Sequence, residues 1–596
     1  MNYYHSNKRM KTETDVSVGC QDGFELNNID LSLNQKDLIK DESVSEDNKD
    51  VDTNKQQFPE SKTTLNQDEC EQDKSSSKES ESLSEQDQCL SLQDESPEKM
   101  FKTEKRSSEE DTLFNEETLR TYSNSLKNSK LETSINHTVI FKDCEISGTY
   151  DLDPDTIFLN SSQGHAVGLN LSLRWQSIKK VYSTKVQGIS DLENRIMSYS
   201  TENVRPCKGL RLYFDQSEPD VRKNFFEVIL PNIIDLALQL PLIITQPIPL
   251  LKKMKSHKVT MTQKQAACLL CNAFLCTFTR RDRQMPYINF NRLFNLDTSV
   301  PCLFEKIKTL LHYFDRIAHQ IGDGHITFER RFINPKHFPN WLSCKNTFTN
   351  KIVVDNYKKI EDAGKGMLQV DFANKFIGGG VLNRGLVQEE IRFIICPELL
   401  VSLMLCEKMR PEESIIITGA EQYSSYTGYC SSYEWSGPYY DDTPRDEWNR
   451  RYTSIVAIDA LCFNRNDSPV QYQMPSIKRE LNKAYVGFYA KTDQPDAVAT
   501  GNWGCGAFKG DPVLKAVIQL MACCVNNRQM CYCTWNDNQL KDDIEQIHGL
   551  FQHKNISVGD VWNILVNYSF HIRNSENPST FRDYIFLELL SFTQYH

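Results

Sequence analysis

Beyond Gly322 the sequence alternates between short apolar runs and helical patterns. This alternation predicts an α/β domain, a mixed sheet with helices on both faces. Three observations carry the prediction. HITFERRF, NKIVVDNY, MLQVDFA and ESIIITGA have the length and β-branched content of strands, and SIVAIDAL, KAYVGFYA, DAVATGN and MCYCTW extend the series. Between them a helix starts at Gln388, and DPVLKAVIQLMACC reads as another, with Asp511 as N-cap and Pro512 at its first position. Glycine clusters follow two of the strands, where ligands collect in sheets of this kind.

The chain has 596 residues, room for more than one domain, and a net charge of −12 from 68 basic and 80 acidic side chains. That balance argues against a sequence-specific reader of nucleic acid, while leaving room for a local basic groove. The 19 cysteines are an odd count without a pairing pattern, and the polar N-terminus lacks the apolar core of a signal peptide. Free thiols in a reducing compartment follow. No apolar run reaches the ~20 residues that span a bilayer, so a soluble intracellular protein is expected, with no membrane partner.

Residues 1–135 are dense in Ser, Glu, Asp, Lys, Gln and Asn and poor in aromatics, as in SSSKESESLSEQDQ. Such a segment cannot bury enough apolar surface to offset its chain entropy, and a disordered tail is expected. Its basic cluster Lys8, Arg9 and Lys11 fits either a nuclear address or a solvated charge run. Order is expected to begin near Thr138, in TVIFKDCEI. From about Asp191 to His319 the pattern turns helical, with FFEVILPNIIDLALQL and TQKQAACLLCNAFLCTF as long amphipathic or buried stretches. Residues 136–320 are therefore read as a mainly helical accessory domain and 321–596 as the α/β domain. Cys268, Cys271 and Cys276 form only half of a zinc pattern, on an apolar helix without a nearby His pair. They read as buried structural thiols, and no metal is expected.

The richest stretch runs from Asp371 to Pro397. The strand in MLQVD ends at Asp371, Gly378, Gly379 and Gly380 leave the backbone bare, and apolar residues from Leu386 onward recur at helical spacing. A strand end, a glycine loop and a helix start together can close backbone N–H groups on an anion. Gln388, Glu389 and Glu390 lie in that turn. Acidic groups beside a phosphate-shaped nest suggest chemistry on a sugar that carries a phosphate. Neighbours on a helix diverge by roughly 100°, so one glutamate is expected to address a scissile bond while the other orients a hydroxyl. A second glycine loop, NWGCGAF, feeds the helix at Asp511, and two facing loops would hold a diphosphate from both sides. Its Gly504 and Gly506, with Gly510, are one residue too widely spaced for GxGxxG, and by itself it reads equally as a tight turn; elsewhere Gly364-Lys365-Gly366 lacks the Ser/Thr of a Walker loop. Tyr423, Tyr426, Tyr429 and Tyr433 have the spacing of packing aromatics, but Gly428 interrupts any helix and leaves a loop that offers a ring to a base.

GGG, a short spacer and QEE resemble the signature of the poly(ADP-ribose) glycohydrolases. The resemblance continues through LQVDFAN, GLVQEEIRF, ITGAEQYSSYTGY, IVAIDAL, RELNKAY and ATGNWGCGAF, and covers most of residues 200–596. It implies a macrodomain, the ADP-ribose-binding fold, behind a helical accessory domain. It also implies hydrolysis of ribose–ribose O-glycosidic bonds with release of ADP-ribose, and needs no cofactor. Glu390 is then the general acid, Glu389 orients the sugar hydroxyls with help from Gln388 and Asn374, and Asp371 orders the group. Near-neutral acid chemistry asks Glu390 for a raised pKa, which partial burial beside another carboxylate would supply. Substrate contacts implied by the resemblance are Ile360 and Glu361 at the adenine edge, Tyr429 stacked on adenine, and Gly378, Gly379 and Gly380 with Asn502, Trp503, Gly504, Cys505, Gly506, Ala507 and Phe508 as ligand-binding loops. Phe508 and Trp535 line the ribose side; the family usually carries Phe where Trp535 stands. Poly(ADP-ribose) and ADP-ribosylated proteins are the implied partners of a monomer in nucleus and cytoplasm, within the DNA damage response. The glycines and Tyr429 would serve a non-catalytic ADP-ribose reader equally well, and only the clustered carboxylates discriminate against it. A second rival reading is a hydrolase of mono-ADP-ribose or another nucleotide sugar.

Overall fold

The computed structural model describes residues 133–140, 157–159, 168–200, 207–279, 281–465, 468–490 and 495–592. The tail, with Lys8, Arg9 and Lys11, lies outside the described residues up to position 132, as does the FKDCEI portion of the run at Thr138. No helix among the described residues is long and apolar enough to cross a membrane.

In chain order the strands are β1 (His137–Val139), β2 (Phe158–Leu159), β3 (Ile248–Pro249), β4 (His257–Thr262), β5 (His325–Phe332), β6 (Ile352–Asp355), β7 (Leu368–Asp371), β8 (Glu413–Thr418), β9 (Ser424–Thr427), β10 (Glu434–Pro438), β11 (Ser454–Ala457), β12 (Ala497–Gly501) and β13 (Gln529–Cys533). Nine of them form one mixed sheet, in the order β1-β4-β5-β8-β11-β7-β12-β13-β6. Strands β4, β5, β8 and β11 pair antiparallel. From β11 through β7, β12 and β13 to β6 every pair is parallel. In this half Ala457 lies beside Asp371, and Gly501, Cys533 and Asp355 share one register line. The carboxyl ends of these strands thus finish together, the edge at which parallel sheets receive ligands.

Side-chain alternation divides the core between the two faces. Ile415, Ile417, Ile455 and Ala457 pack into one buried cluster, which takes in the helices Gln263–Phe274, Pro301–His319 and Gln388–Ile395. Leu368, Val370, Ile416 and Val456 face the other cluster, under the helices Met474–Phe488 and Pro512–Val525. Asp371 is paired with Ala457 and out of step with Val370, so it points to the first face, beneath helix Gln388–Ile395.

Two readings of local structure need correction. KAYVGFYA, expected as a strand, lies through Phe488 in the second half of helix Met474–Phe488, with Tyr489 and Ala490 just beyond its end. Ile477, Leu481, Ala484, Tyr485 and Phe488 repeat at helical spacing and are all buried, and this period outweighs the local β-branched and aromatic content. Within the stretch expected to be helical, His257–Thr262 forms β4, so the sheet extends across position 320. Cys268, Cys271 and Cys276 are buried, with Cys268 Sγ donating to the Leu236 carbonyl at 3.2 Å.

A buried ion pair joins the antiparallel half. Arg330 on β5 and Glu413 on β8 have fully buried side chains, with Nη2 and Oε2 2.5 Å apart. The guanidinium also donates to the carbonyls of Leu251, Glu407 and Lys408. Removing one partner leaves the other charge buried and alone. Arg330→Met is therefore expected to cost about 3–5 kcal/mol in chemical denaturation; a loss within experimental error would deny the pair this role.

Candidate active site

At the end of β7 the chain turns through Phe372–Phe376 into the glycine triplet, and helix Gln388–Ile395 begins eight residues after Gly380. Gly378 and Gly379 have φ of +88° and +49°, the left-handed region that favours glycine. Space is as restrictive as the backbone: a Cβ on Gly379 would stand 2.5 Å from Glu390 Oε1 and 2.6 Å from Glu389 Oε2. Gly379 is bare because two carboxylates press against it, whereas a Cβ on Gly378 would meet Leu403 at 2.6 Å.

All three of its amides are engaged within the chain. Gly378 N donates to Glu389 Oε1 at 2.6 Å, Gly379 N to the Phe376 carbonyl at 3.1 Å, and Gly380 N to Glu390 Oε1 at 2.8 Å. Asn374 N completes the Glu389 carboxylate at 2.8 Å. Val387 N completes that of Glu390 at 3.0 Å, the return half of a capping box from the third helical position. The triplet, expected to grip phosphate, is thus a nest for the protein's own carboxylates. Although the two glutamates start 100° apart on the helix, both side chains come back to the same loop. Asn374 turns its Oδ1 to Phe376 N at 3.0 Å.

Asp371 lies behind them with 1% exposure, and among the described residues neither carboxyl oxygen has a hydrogen-bond partner. Burial, reinforced by the charge of Glu390, pushes its pKa well above the usual carboxylate range, and Arg392 only partly opposes this. Burial also raises Glu389, together with the charges of Asp371 and Glu390, against the pull of the amides of Asn374 and Gly378. Both deep carboxyls, Asp371 and Glu389, therefore hold their protons more tightly than exposed carboxyls do.

Beside this wall opens a cavity of about 380 Å³, lined by Val387 and Gln388 at the start of the helix, by Ile360, Glu361, Tyr426 and Tyr429, and by Asn502–Phe508 with Trp535. Gln388 is clamped, accepting from Phe372 N at 2.8 Å and donating to the Val370 carbonyl at 3.1 Å. Its own N–H donates to Tyr429 Oη at 3.2 Å. The rings of Tyr429 and Trp535 are 6.0 Å apart at the cavity mouth, and Trp535 is held there by a left-handed backbone, φ +59°. Tyr426 donates to Glu361 at 2.7 Å and lies under the Lys359 ammonium, 3.4 Å from its ring centre. Lys359 and Phe372 line the cavity without having been singled out in the sequence. For Phe372 the signal was available, since it directly follows Asp371 at a strand end; for Lys359 there was none.

The second glycine loop is organised differently from the first. Trp503 N, Cys505 N and Gly510 N are bonded within the loop, and Asn502 ties it to Thr534 and Tyr532. Among the described residues, nothing accepts the N–H groups of Gly506, Ala507 and Phe508. Three successive amides on the cavity wall form an anion nest. Beneath them Lys515 Nζ lies 4.0 Å from the centre of the buried Trp503 ring and pairs with Glu480.

The state of Asp371 can be tested through stability. Its pKa is raised on folding, so above the ordinary carboxyl range the folded chain keeps a proton that the unfolded chain has lost. Stability then falls as pH rises towards the elevated pKa. Asp371→Asn removes this penalty. Between pH 5 and pH 8 the variant is expected to lose less stability than the parent, by roughly 1.4 kcal/mol for each unit of that window in which the folded parent keeps the extra proton, with a flatter pH profile and weakened turnover. A variant less stable at pH 8 than at pH 5, to the same degree as the parent, would contradict this.

Two family models match the chain: poly(ADP-ribose) glycohydrolase, helical domain, over residues 217–330, and poly(ADP-ribose) glycohydrolase, Macro domain fold, over residues 338–542. The chain is similar to poly(ADP-ribose) glycohydrolase 1 of Arabidopsis thaliana, 31% identical over 472 residues, which span 64% of this chain and 85% of the plant protein. It is similar also to poly(ADP-ribose) glycohydrolase 1 of Caenorhabditis elegans, 35% identical over 325 residues, 52% of this chain and 40% of the worm protein. A nucleotide-sized cavity beside clustered carboxylates, both family models in tandem and a relative matched over most of its length lead to one conclusion: the chain belongs to the poly(ADP-ribose) glycohydrolase family.

Proposed function

We propose that the chain hydrolyses the ribose–ribose O-glycosidic bonds of poly(ADP-ribose) and releases ADP-ribose, with Glu390 as proton donor. The observation that carries the reading is the seating of Glu389 and Glu390 on the amides of one glycine loop, next in the chain to Val387 and Gln388, which line a cavity of about 380 Å³, within the range of small-ligand sites. A pure reader of ADP-ribose gains nothing from three clustered carboxyls next to an anionic ligand, whereas glycoside hydrolysis requires acid and base groups there.

The unpaired amides of Gly506, Ala507 and Phe508 would take the diphosphate, the Tyr429 ring would take adenine, and Glu361 with Ile360 would take its edge. Trp535 and Phe508 would wall the ribose. Energy from these remote contacts then aligns the bond to be cleaved. Glu390 passes its proton to the linking oxygen, which departs as a ribose hydroxyl while the C–O bond breaks. The oxocarbenium-like centre adds water, and the water's proton returns to Glu390. Glu389 orients the sugar hydroxyls with Gln388 and the Asn374 amide. Asp371, buried beneath them with its pKa raised, disfavours a further negative charge next to the diphosphate. All these groups come from one chain, which fits a monomer; polymer carried by ADP-ribosylated proteins, in nucleus and cytoplasm, is the proposed substrate and setting.

Glu390→Gln should lower kcat for ADP-ribose release from polymer by roughly 10²–10⁴-fold and leave ADP-ribose affinity near the parent value in calorimetry. Unchanged release would remove Glu390 from the role. Binding without release by the parent chain would make it a reader, and release only from mono-ADP-ribosylated peptide would make it a mono-ADP-ribose hydrolase.

A further inference from the structure

Helix Pro301–His319 carries Lys306 among Leu303, Ile307 and Leu310, and its side chain has no exposed surface. A lysine in such a place needs partners, because a buried ammonium without them is costly. Its partners lie on the stretch that joins the glycine triplet to the glutamates. Lys306 Nζ donates to the carbonyls of Asn383 and Gly385, each at 2.6 Å, and of Gly380 at 3.4 Å.

The same stretch touches Glu390 from its other side. Gly380 gives its N–H to the Glu390 carboxylate and its carbonyl to Lys306. A Cβ on Gly385 would stand 2.7 Å from the Glu390 carboxyl carbon, so the loop lies directly against that group. Asn383 N and Gly385 N both donate to the Gly380 carbonyl, folding the loop into a tight turn whose oxygens converge. Converging carbonyls repel one another, and a cation at their focus offsets this. Without it the turn has reason to open, and the Gly380 amide would leave Glu390.

We infer that Lys306 is a positioning residue for the hydrolysis, by which a helix of the accessory region holds the Gly380–Gly385 turn in the shape that seats the Glu390 carboxylate. This rests on the reading of Glu390 given above. The ammonium is also sensitive to its setting: burial draws its pKa down to about 7, and the charge of Glu390 partly restores it, with Cys302 the other titratable group that acts on it.

A purely structural lysine would hold helix and loop together with no special consequence for turnover. Three variants separate the two roles. Lys306→Met removes the charge at similar volume, Lys306→Arg keeps it, and Thr309→Val breaks the neighbouring Thr309–Tyr433 hydroxyl contact of 2.8 Å on the same helix without touching the loop. For Lys306→Met, kcat on polymer should fall roughly 10- to 100-fold while the ADP-ribose Kd stays within about threefold of the parent. Amide exchange should quicken in the peptide spanning Gly378–Val387, and Lys306→Arg should recover part of both. Thr309→Val should lower Tm without separating kcat from Kd or loosening that peptide. Parental kcat in Lys306→Met, or a parallel loss of kcat, Kd and Tm like that in Thr309→Val, would overturn the inference. Should Lys306→Met fail to fold, Lys306→Gln carries the same measurements with the same outcomes. Amide exchange reads the loop without catalysis, so a parent chain that does not cleave polymer would defeat the hydrolase reading while still testing the tie between Lys306 and the loop.

Discussion

Two adjacent glutamates are held on the backbone amides of a single glycine loop, and the rest of the site is arranged around that contact. Gly378 N and Gly380 N are 2.6 and 2.8 Å from the carboxylate oxygens they serve. Charge-assisted bonds of this kind are short and directional, and they fix two side chains that helix geometry would otherwise spread apart. The glycines are necessary to it, since at Gly379 the carboxylates occupy the space a side chain would need. The positive end of helix Gln388–Ile395 adds to the same effect.

Such a site is held at a cost that the fold offsets elsewhere. Asp371 is buried, and among the described residues both its carboxyl oxygens are unpartnered, the kind of local rule-breaking that concentrates at functional positions. The sheet imposes it: β7 runs parallel to β11 and β12, its side chains alternate, and the last one points beneath the helix that carries the glutamates. The antiparallel strands and their helices provide the counterweight, with a large buried cluster and the Arg330–Glu413 pair. The accessory helix Pro301–His319 is also part of the site, because Lys306 closes the turn behind Glu390.

Much of this was legible in the sequence. Asp511 caps its helix by accepting from Leu514 N, as Asp-Pro at a helix start implies. The strand-glycine-helix unit at Asp371 was plain from period and composition. What the glycines serve was not, because a bare backbone suits a ligand's phosphate and a protein's own carboxylate equally well. Only the positions of Glu389 and Glu390 decide between them. KAYVGFYA misled because a short window hides the helical period that begins at Ile477. Lys306 was invisible for another reason: its partners are carbonyls about 75 to 80 residues later in the chain, which no local pattern encodes.

The most direct test of the account is a crystal structure of the chain with ADP-ribose. The pyrophosphate oxygens should lie about 2.7–3.2 Å from the nitrogens of Gly506, Ala507 and Phe508, with Glu390 still on Gly380 N and turned towards the terminal ribose. A pyrophosphate bound to the amides of Gly378 and Gly380, with the two glutamates displaced from them, would contradict it.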